Sequence, residues 1–155
     1  MIEGPKAMAY LPTGFAVPPY LPHEVGFAQG CREQVLRIQR CRDCGRFRHP
    51  PSPRCPHCRS AACDWPAVAG TGEVYSYTIV RHAASEALRA ALPYNVVVVL
   101  LDDTDGVRLV SNLIDAPPEM VRIGLRVRLD WERRGDLDLP CFRIDSQTEV
   151  RDERD

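Results

Sequence analysis

Residues 41–58 read CRDCGRFRHPPSPRCPHC, with Cys41 and Cys44 in one CxxC pair and Cys55 and Cys58 in a second, ten residues on. Each pair lets two thiolates reach one metal from a tight turn. Two such knuckles complete a closed, tetrahedral S4 site with no position left for a substrate. Gly45 follows the first pair, where the turn needs a positive φ. A short strand is expected at Arg46-Phe47-Arg48, and Pro50, Pro51 and Pro53 stiffen the approach to the second pair. A unit of this size has too little apolar surface to fold alone, so metal binding must supply much of its folding free energy. His57 lies inside the second knuckle, but Cys55 and Cys58 already satisfy the spacing there.

The rest of the chain sets the context of this ribbon. It has 155 residues, 45% of them hydrophobic, which is enough for one ordinary domain or two small ones. The longest apolar stretch, Val96 to Leu101, is strand-sized, so no membrane span is expected. The first residues lack a basic stretch followed by an apolar one, so no secretory signal is expected. Of seven cysteines, four sit at metal spacing. Reduced zinc binding in the cytoplasm is therefore favoured over a disulfide framework. Cys31, Cys63 and Cys141 read as small buried residues.

The net charge of -1 hides a segregation: eight arginines lie between Arg32 and Arg59, against Glu33 and Asp43, while the tail is mostly acidic. Arginine suits bidentate recognition of phosphates and carboxylates. A genome's base composition produces the same bias, and the sequence leaves both explanations open.

Outside the ribbon the pattern is mainly β. Tyr10 to Pro22 is a proline-rich extended arm, and Pro22 to Gln34 reads as one amphipathic helix weakened by Gly26 and Gly30. Val35 to Gln39 alternates as a short strand. Gly72 to Arg81 alternates with β-branched and aromatic residues, which places Tyr75 and Tyr77 on one strand face. Ala83 to Leu92 favours helix. Tyr94 to Leu101 is a near-continuous valine and leucine run, expected to be buried on both faces. The turn DDTDG (102–106) leads to a returning strand at Val107 to Ile114. One helical turn at Asp115 to Met120, a strand at Arg126 to Trp131 and a last short strand at Phe142 to Ile144 complete the set. Five strands in this order match a Greek-key OB barrel. The expected division is 1–36 arm and helix, 37–66 zinc ribbon, 67–147 OB-fold and 148–155 acidic tail.

No G-x-S-x-G, P-loop or HExxH occurs. A ribbon joined to an OB barrel invites a single-stranded nucleic-acid reading, with Tyr75 and Tyr77 as stacking platforms. The overall pI near 6.4 lacks the positive excess that such a binder needs, so nucleic acid is not the favoured partner.

The ordered strings CRDCGRFRHPPSPRCPHC, GTGEVYSYTIV, PYNVVVVLLDDTDGVRLVSNLI and VRIGLRVRL resemble the DUF35 family from about Pro22 to Ile144. These are acyl-CoA-associated proteins with a rubredoxin-like zinc ribbon and an OB-fold. One departure is His49, where an aromatic residue is expected before the prolines. The resemblance implies a non-catalytic companion subunit of a thiolase-like enzyme: a thiolase, an acyltransferase or a thiolase-fold aldolase. It implies structural zinc on Cys41, Cys44, Cys55 and Cys58, a CoA thioester as substrate of the complex, and an α2β2 assembly. It also suggests that Arg46 and Arg48 stand near the acyl-CoA entrance or the partner interface.

Overall fold

The computed structural model describes residues 19–134 and 137–146. The proline-rich arm up to residue 18 and the acidic tail from 147 lie outside the described residues.

The chain enters through a 3-10 turn, Pro22–Glu24, which passes into helix α1, Val25–Glu33. Pro22 suits this start because its missing N–H costs nothing in a first turn. The Glu24 carboxylate turns back to accept the Leu21 N–H at 2.7 Å. Gln34 ends the helix at φ 54, in the left-handed conformation. The two glycines that weaken the helix locally have a tertiary purpose. A Cβ on Gly26 would sit 2.1 Å from the Trp65 ring, and one on Gly30 would sit 2.4 Å from the Val35 carbonyl oxygen. Their missing side chains are what lets α1 lie against the ribbon.

The first strand does not fall where the alternation puts it. Residues 35–38 stay extended without regular pairing, and β1 spans Gln39–Cys41. The lead-in is tied instead to the far end of the ribbon, by Val68 N–H to Leu36 O (2.9 Å) and Ile38 N–H to Pro66 O (3.2 Å). Leu36 and Ile38 are then spent on packing into the barrel core, beside Val74, Val97 and Phe142. With β2 (Phe47–Arg48) and β3 (Cys63–Asp64), β1 forms a three-stranded sheet in the order β2-β1-β3.

The second sheet holds β4 (Thr71–Val80), β5 (Tyr94–Leu101), β6 (Arg108–Ser111), β7 (Arg126–Arg134) and β8 (Leu137–Ile144). Its order is β6-β5-β4-β7-β8, antiparallel throughout. The sheet curls until its two edges meet at a parallel bridge between Leu113 and Phe142, which gives the OB-type arrangement. Val74, Val97, Val99, Leu109, Leu125, Val127 and Phe142 fill the inside.

Four further details differ from the sequence expectations. The run Tyr94–Leu101 alternates between buried and half-buried positions, so one face only is covered by the described chain. The segment 83–92 forms only a 3-10 turn at Glu86–Ala91, and Pro93 follows it directly. Strands β7 and β8 are longer than expected because they pair with each other along their whole length, from Val127–Ile144 to Arg134–Leu137. Pro140 fits within β8 because that strand is an edge beyond its pairing with β7.

The fourth concerns the tyrosines. A bulge separates Val74, which pairs with Val99, from Ser76, which pairs with Val98. The extra residue is Tyr75, and an inserted residue shifts the alternation of faces by one. Tyr77 pairs with the buried Val97 and so shares its side of the sheet, although it is itself 40% exposed. Tyr75 instead lies under the guanidinium of Arg108, on the outer face. The two rings do not form one platform.

Candidate metal centre and its surroundings

Strand β1 ends on Cys41, and the chain then turns sharply. The Gly45 N–H donates to the Cys41 carbonyl at 2.9 Å, with Gly45 at φ 75. The second knuckle repeats the turn: the Arg59 N–H donates to the Cys55 carbonyl at 2.8 Å, and Arg59 adopts φ 63. The left-handed residue is glycine in one knuckle and arginine in the other, so the glycine signal marks the first turn and misses the second.

The Sγ atoms of Cys41, Cys44, Cys55 and Cys58 all lie within 4.8 Å of one another. Cys41 and Cys58 are 3.5 Å apart, and Cys44 and Cys55 are 3.7 Å apart. A tetrahedron with Zn–S bonds of about 2.3 Å has S···S edges of about 3.75 Å. The four sulfurs therefore fit zinc in both donor type and spacing. Backbone N–H groups of each turn point at the sulfurs and favour the thiolate form of one cysteine in each pair, while burial and the neighbouring sulfurs raise Cys44, and the Cys41 sulfur and burial raise Cys58. The N–H groups of Cys58 and His57 help pull the Cys55 thiol down to about 6, and those of Cys44 and Asp43 lower Cys41. When bound, zinc would supply the cross-link that holds both turns, and four protein ligands would fill its tetrahedron.

His57 is exposed and does not belong to the cluster. Cys63 pairs with Cys41 across β1 and β3, and its sulfur accepts a weak contact from Gln39 Nε2 at 3.5 Å. Cys31 and Cys141 are buried, and burial first of all pushes their thiols up to about 11 and about 12.

Around the knuckles the arginines split into different roles. Arg40 forks onto Asp64 at 3.1 and 2.8 Å, tying β1 to β3. Arg46 is exposed beside the first knuckle, and its carbonyl accepts the Cys41 N–H at 2.9 Å. Arg48 is only 8% exposed; its Nη2 donates to the Ser52 carbonyl at 3.3 Å, and its Nε and Nη1 have no hydrogen-bond partner. The two arginines thus face different surroundings. His49 packs its ring against Phe27, centroids 5.1 Å apart. Burial lowers its pKa from the usual value.

A four-cysteine ribbon sharing a core with an OB-type barrel defines a zinc-ribbon/OB protein. Family models match on both parts: the rubredoxin-like zinc ribbon domain of ChsH2 over residues 28–64, and the C-terminal OB-fold domain of ChsH2 over residues 65–132. The chain belongs to this DUF35 family.

Among solved structures, a chain of the Ltp2-ChsH2(DUF35) aldolase superposes with a TM-score of 0.74 at 40% identity, covering 83% of this chain and 98% of that one. A probable enoyl-CoA hydratase alpha subunit of Thermomonospora curvata is 45% identical over 116 residues, which are 74% of this chain and 35% of the relative. A DUF35 domain-containing scaffold protein of Methanocaldococcus jannaschii is 32% identical over 95 residues, 61% of this chain and 65% of that protein. The chain thus spans about a third of the hydratase subunit's length. Among the described residues, no helix is long and apolar enough to cross a membrane.

Proposed function

We propose that this chain is a non-catalytic, zinc-binding subunit of a thiolase-like complex, and that it stabilises its partner and helps to form the acyl-CoA thioester site. The partner is a thiolase, an acyltransferase or a thiolase-fold aldolase, assembled with this chain as α2β2. The observation that carries this reading is the likeness to nearly the whole of a chain from the Ltp2-ChsH2(DUF35) aldolase. The relative named as a probable enoyl-CoA hydratase alpha subunit adds the substrate class. A closed S4 zinc site agrees with a structural role, because catalytic zinc keeps an open position.

Arg46, exposed beside the first knuckle, is the arginine we assign to the acyl-CoA phosphates or to the partner. Arg48, which is buried, supports the ribbon turn through Ser52. Nucleic-acid binding is the weaker reading, since the bulge at Tyr75 sends the two tyrosines to opposite faces.

The test is co-purification of the tagged chain from its own cell, followed by mass measurement of the complex. A thiolase-fold protein in equal amount is expected. Thioesterase activity of the isolated chain would overturn the proposal, as would retention on single-stranded DNA or RNA at low salt without such a partner.

A further inference from the structure

Strand β6 stops at Ser111, and the residues after it are pinned from two sides. The side chain of Asn95, buried on β5, donates to the Leu113 carbonyl at 2.8 Å and accepts the Leu113 N–H at 2.6 Å. From β8, the Phe142 N–H donates to the Asn112 carbonyl at 3.0 Å. The backbone of Asn112 is thereby fixed, and the residue is only 8% exposed. Its side-chain amide nevertheless makes no hydrogen bond among the described residues. The buried side-chain atoms sealed off without a partner belong to Arg48 and His49, so the Asn112 amide opens onto free space. A nearly buried amide without partners costs free energy, and a ligand that pairs with it removes that cost.

The space is a cleft of about 310 Å³ between the start of β5 and the segment that follows β6. Pro93, Ile114, Ala116 and Pro117 give it apolar walls, and Tyr94 adds a ring. Asp115 is the one charged residue that lines it, and Asp115 is paired with Arg143. No cation lines the cleft, so a phosphate finds no partner there. The volume stands at the low end of small-molecule sites, about 300–1,000 Å³, which gives room for a slender segment.

We propose that this cleft takes the pantetheine arm of a CoA thioester, with the Asn112 side chain paired to one of its secondary amides. The choice of ligand rests on the acyl-CoA reading above. Pantetheine is neutral and slender, and its amides alternate with apolar carbons. A secondary amide offers one donor and one acceptor, which the Asn112 side chain matches with an acceptor and a donor. A hydrocarbon acyl chain would leave both unpaired. The phosphates of the nucleotide stay outside the cleft.

Asn112 also borders a smaller cleft of about 240 Å³ beside Phe27 and His49, and the test separates the two. The full, zinc-loaded chain is titrated with pantetheine and, separately, with ADP, while NMR follows the side-chain amide of Asn112. Asn112→Leu assigns that resonance and keeps the side chain's size without its polar atoms. Ala91→Phe fills the larger cleft, which Ala91 lines, and does not touch the smaller one. Pantetheine is expected to shift the Asn112 resonance and ADP is not. Each variant is expected to weaken pantetheine binding about tenfold with zinc content unchanged. An unmoved resonance, or an affinity that Ala91→Phe leaves unchanged, would overturn the inference; co-purification of the thiolase-fold protein in that case leaves the subunit reading standing. Pantetheine bound at Asn112 with no such protein recovered would overturn the subunit reading and keep the site. An equal shift with a short peptide amide would overturn the choice of pantetheine and assign the cleft to a peptide segment.

Discussion

Phe142 joins the two edges of the curled sheet: its N–H donates to the Asn112 carbonyl at 3.0 Å, and its carbonyl accepts the Ile114 N–H at 2.9 Å. One fully buried residue thus closes the barrel by backbone bonds and fills it with its ring. Phe142→Ala removes the ring and leaves the backbone bonds unsupported. A loss of about 3–5 kcal/mol is expected for such a cavity, read from denaturant unfolding. A loss under 1 kcal/mol would mean that the ring is not central to the core.

Zinc removal addresses the ribbon. About one zinc per wild-type chain is expected by metal analysis, and Cys44→Ser should lose it because three thiolates no longer close the tetrahedron. The barrel retains its own core, so the damage should concentrate between residues 39 and 66 and in partner assembly. If chelation spared the ribbon and the complex but abolished chemistry by the isolated chain, the metal would be catalytic.

His49 gives stability a pH dependence with a definite sign. Burial against Phe27, with Nδ1 unpartnered, lowers its pKa below the ordinary 6.5. Between the lowered folded value and 6.5 the unfolded chain binds the proton and the folded chain does not. Stability from this group is therefore full above pH 6.5 and falls on acidification, by at most about 1.4 kcal/mol per pH unit. His49→Phe should flatten unfolding curves measured between pH 7 and pH 5. A variant with the same slope as wild type would assign the dependence to other groups.

Gly26 tests the seat of the helix. Its Cα lies so close to Trp65 that an added methyl meets the indole at 2.1 Å. Gly26→Ala improves helix propensity locally but overpacks this contact, so a net loss of about 1–3 kcal/mol is expected. Stabilisation instead would show that α1 does not depend on this contact.

Arg46→Ala should weaken acyl-CoA affinity or complex formation by roughly tenfold, the scale of one lost charge-assisted hydrogen bond. Arg48→Ala should act on ribbon stability through Ser52. If Arg46→Ala changed neither affinity nor assembly, the proposed role of Arg46 would fall.

The sequence by itself determined the parts. Cys41, Cys44, Cys55 and Cys58 specified a metal site because two thiolates three residues apart reach one ion from a single turn. Alternation at Gly72 to Arg81 and Arg126 to Trp131, with the apolar run at Tyr94 to Leu101 and the turn after it, marked five barrel strands in their order, the last of them too short. Both signals are local and therefore legible.

What only the tertiary structure decided is how neighbours use those parts. Gly26 reads as a helix weakness until Trp65 fills its place, and Leu36 reads as a strand residue until it enters the barrel core. Tyr75 and Tyr77 read as one face until a single extra residue, set by pairing with β5, turns one of them outward. Likewise, the apolar run 94–101 calls for burial on both faces, and only the assembled sheet reveals which face is left uncovered. Register, bulges and close approaches depend on partners distant in sequence, and a local pattern carries no record of them.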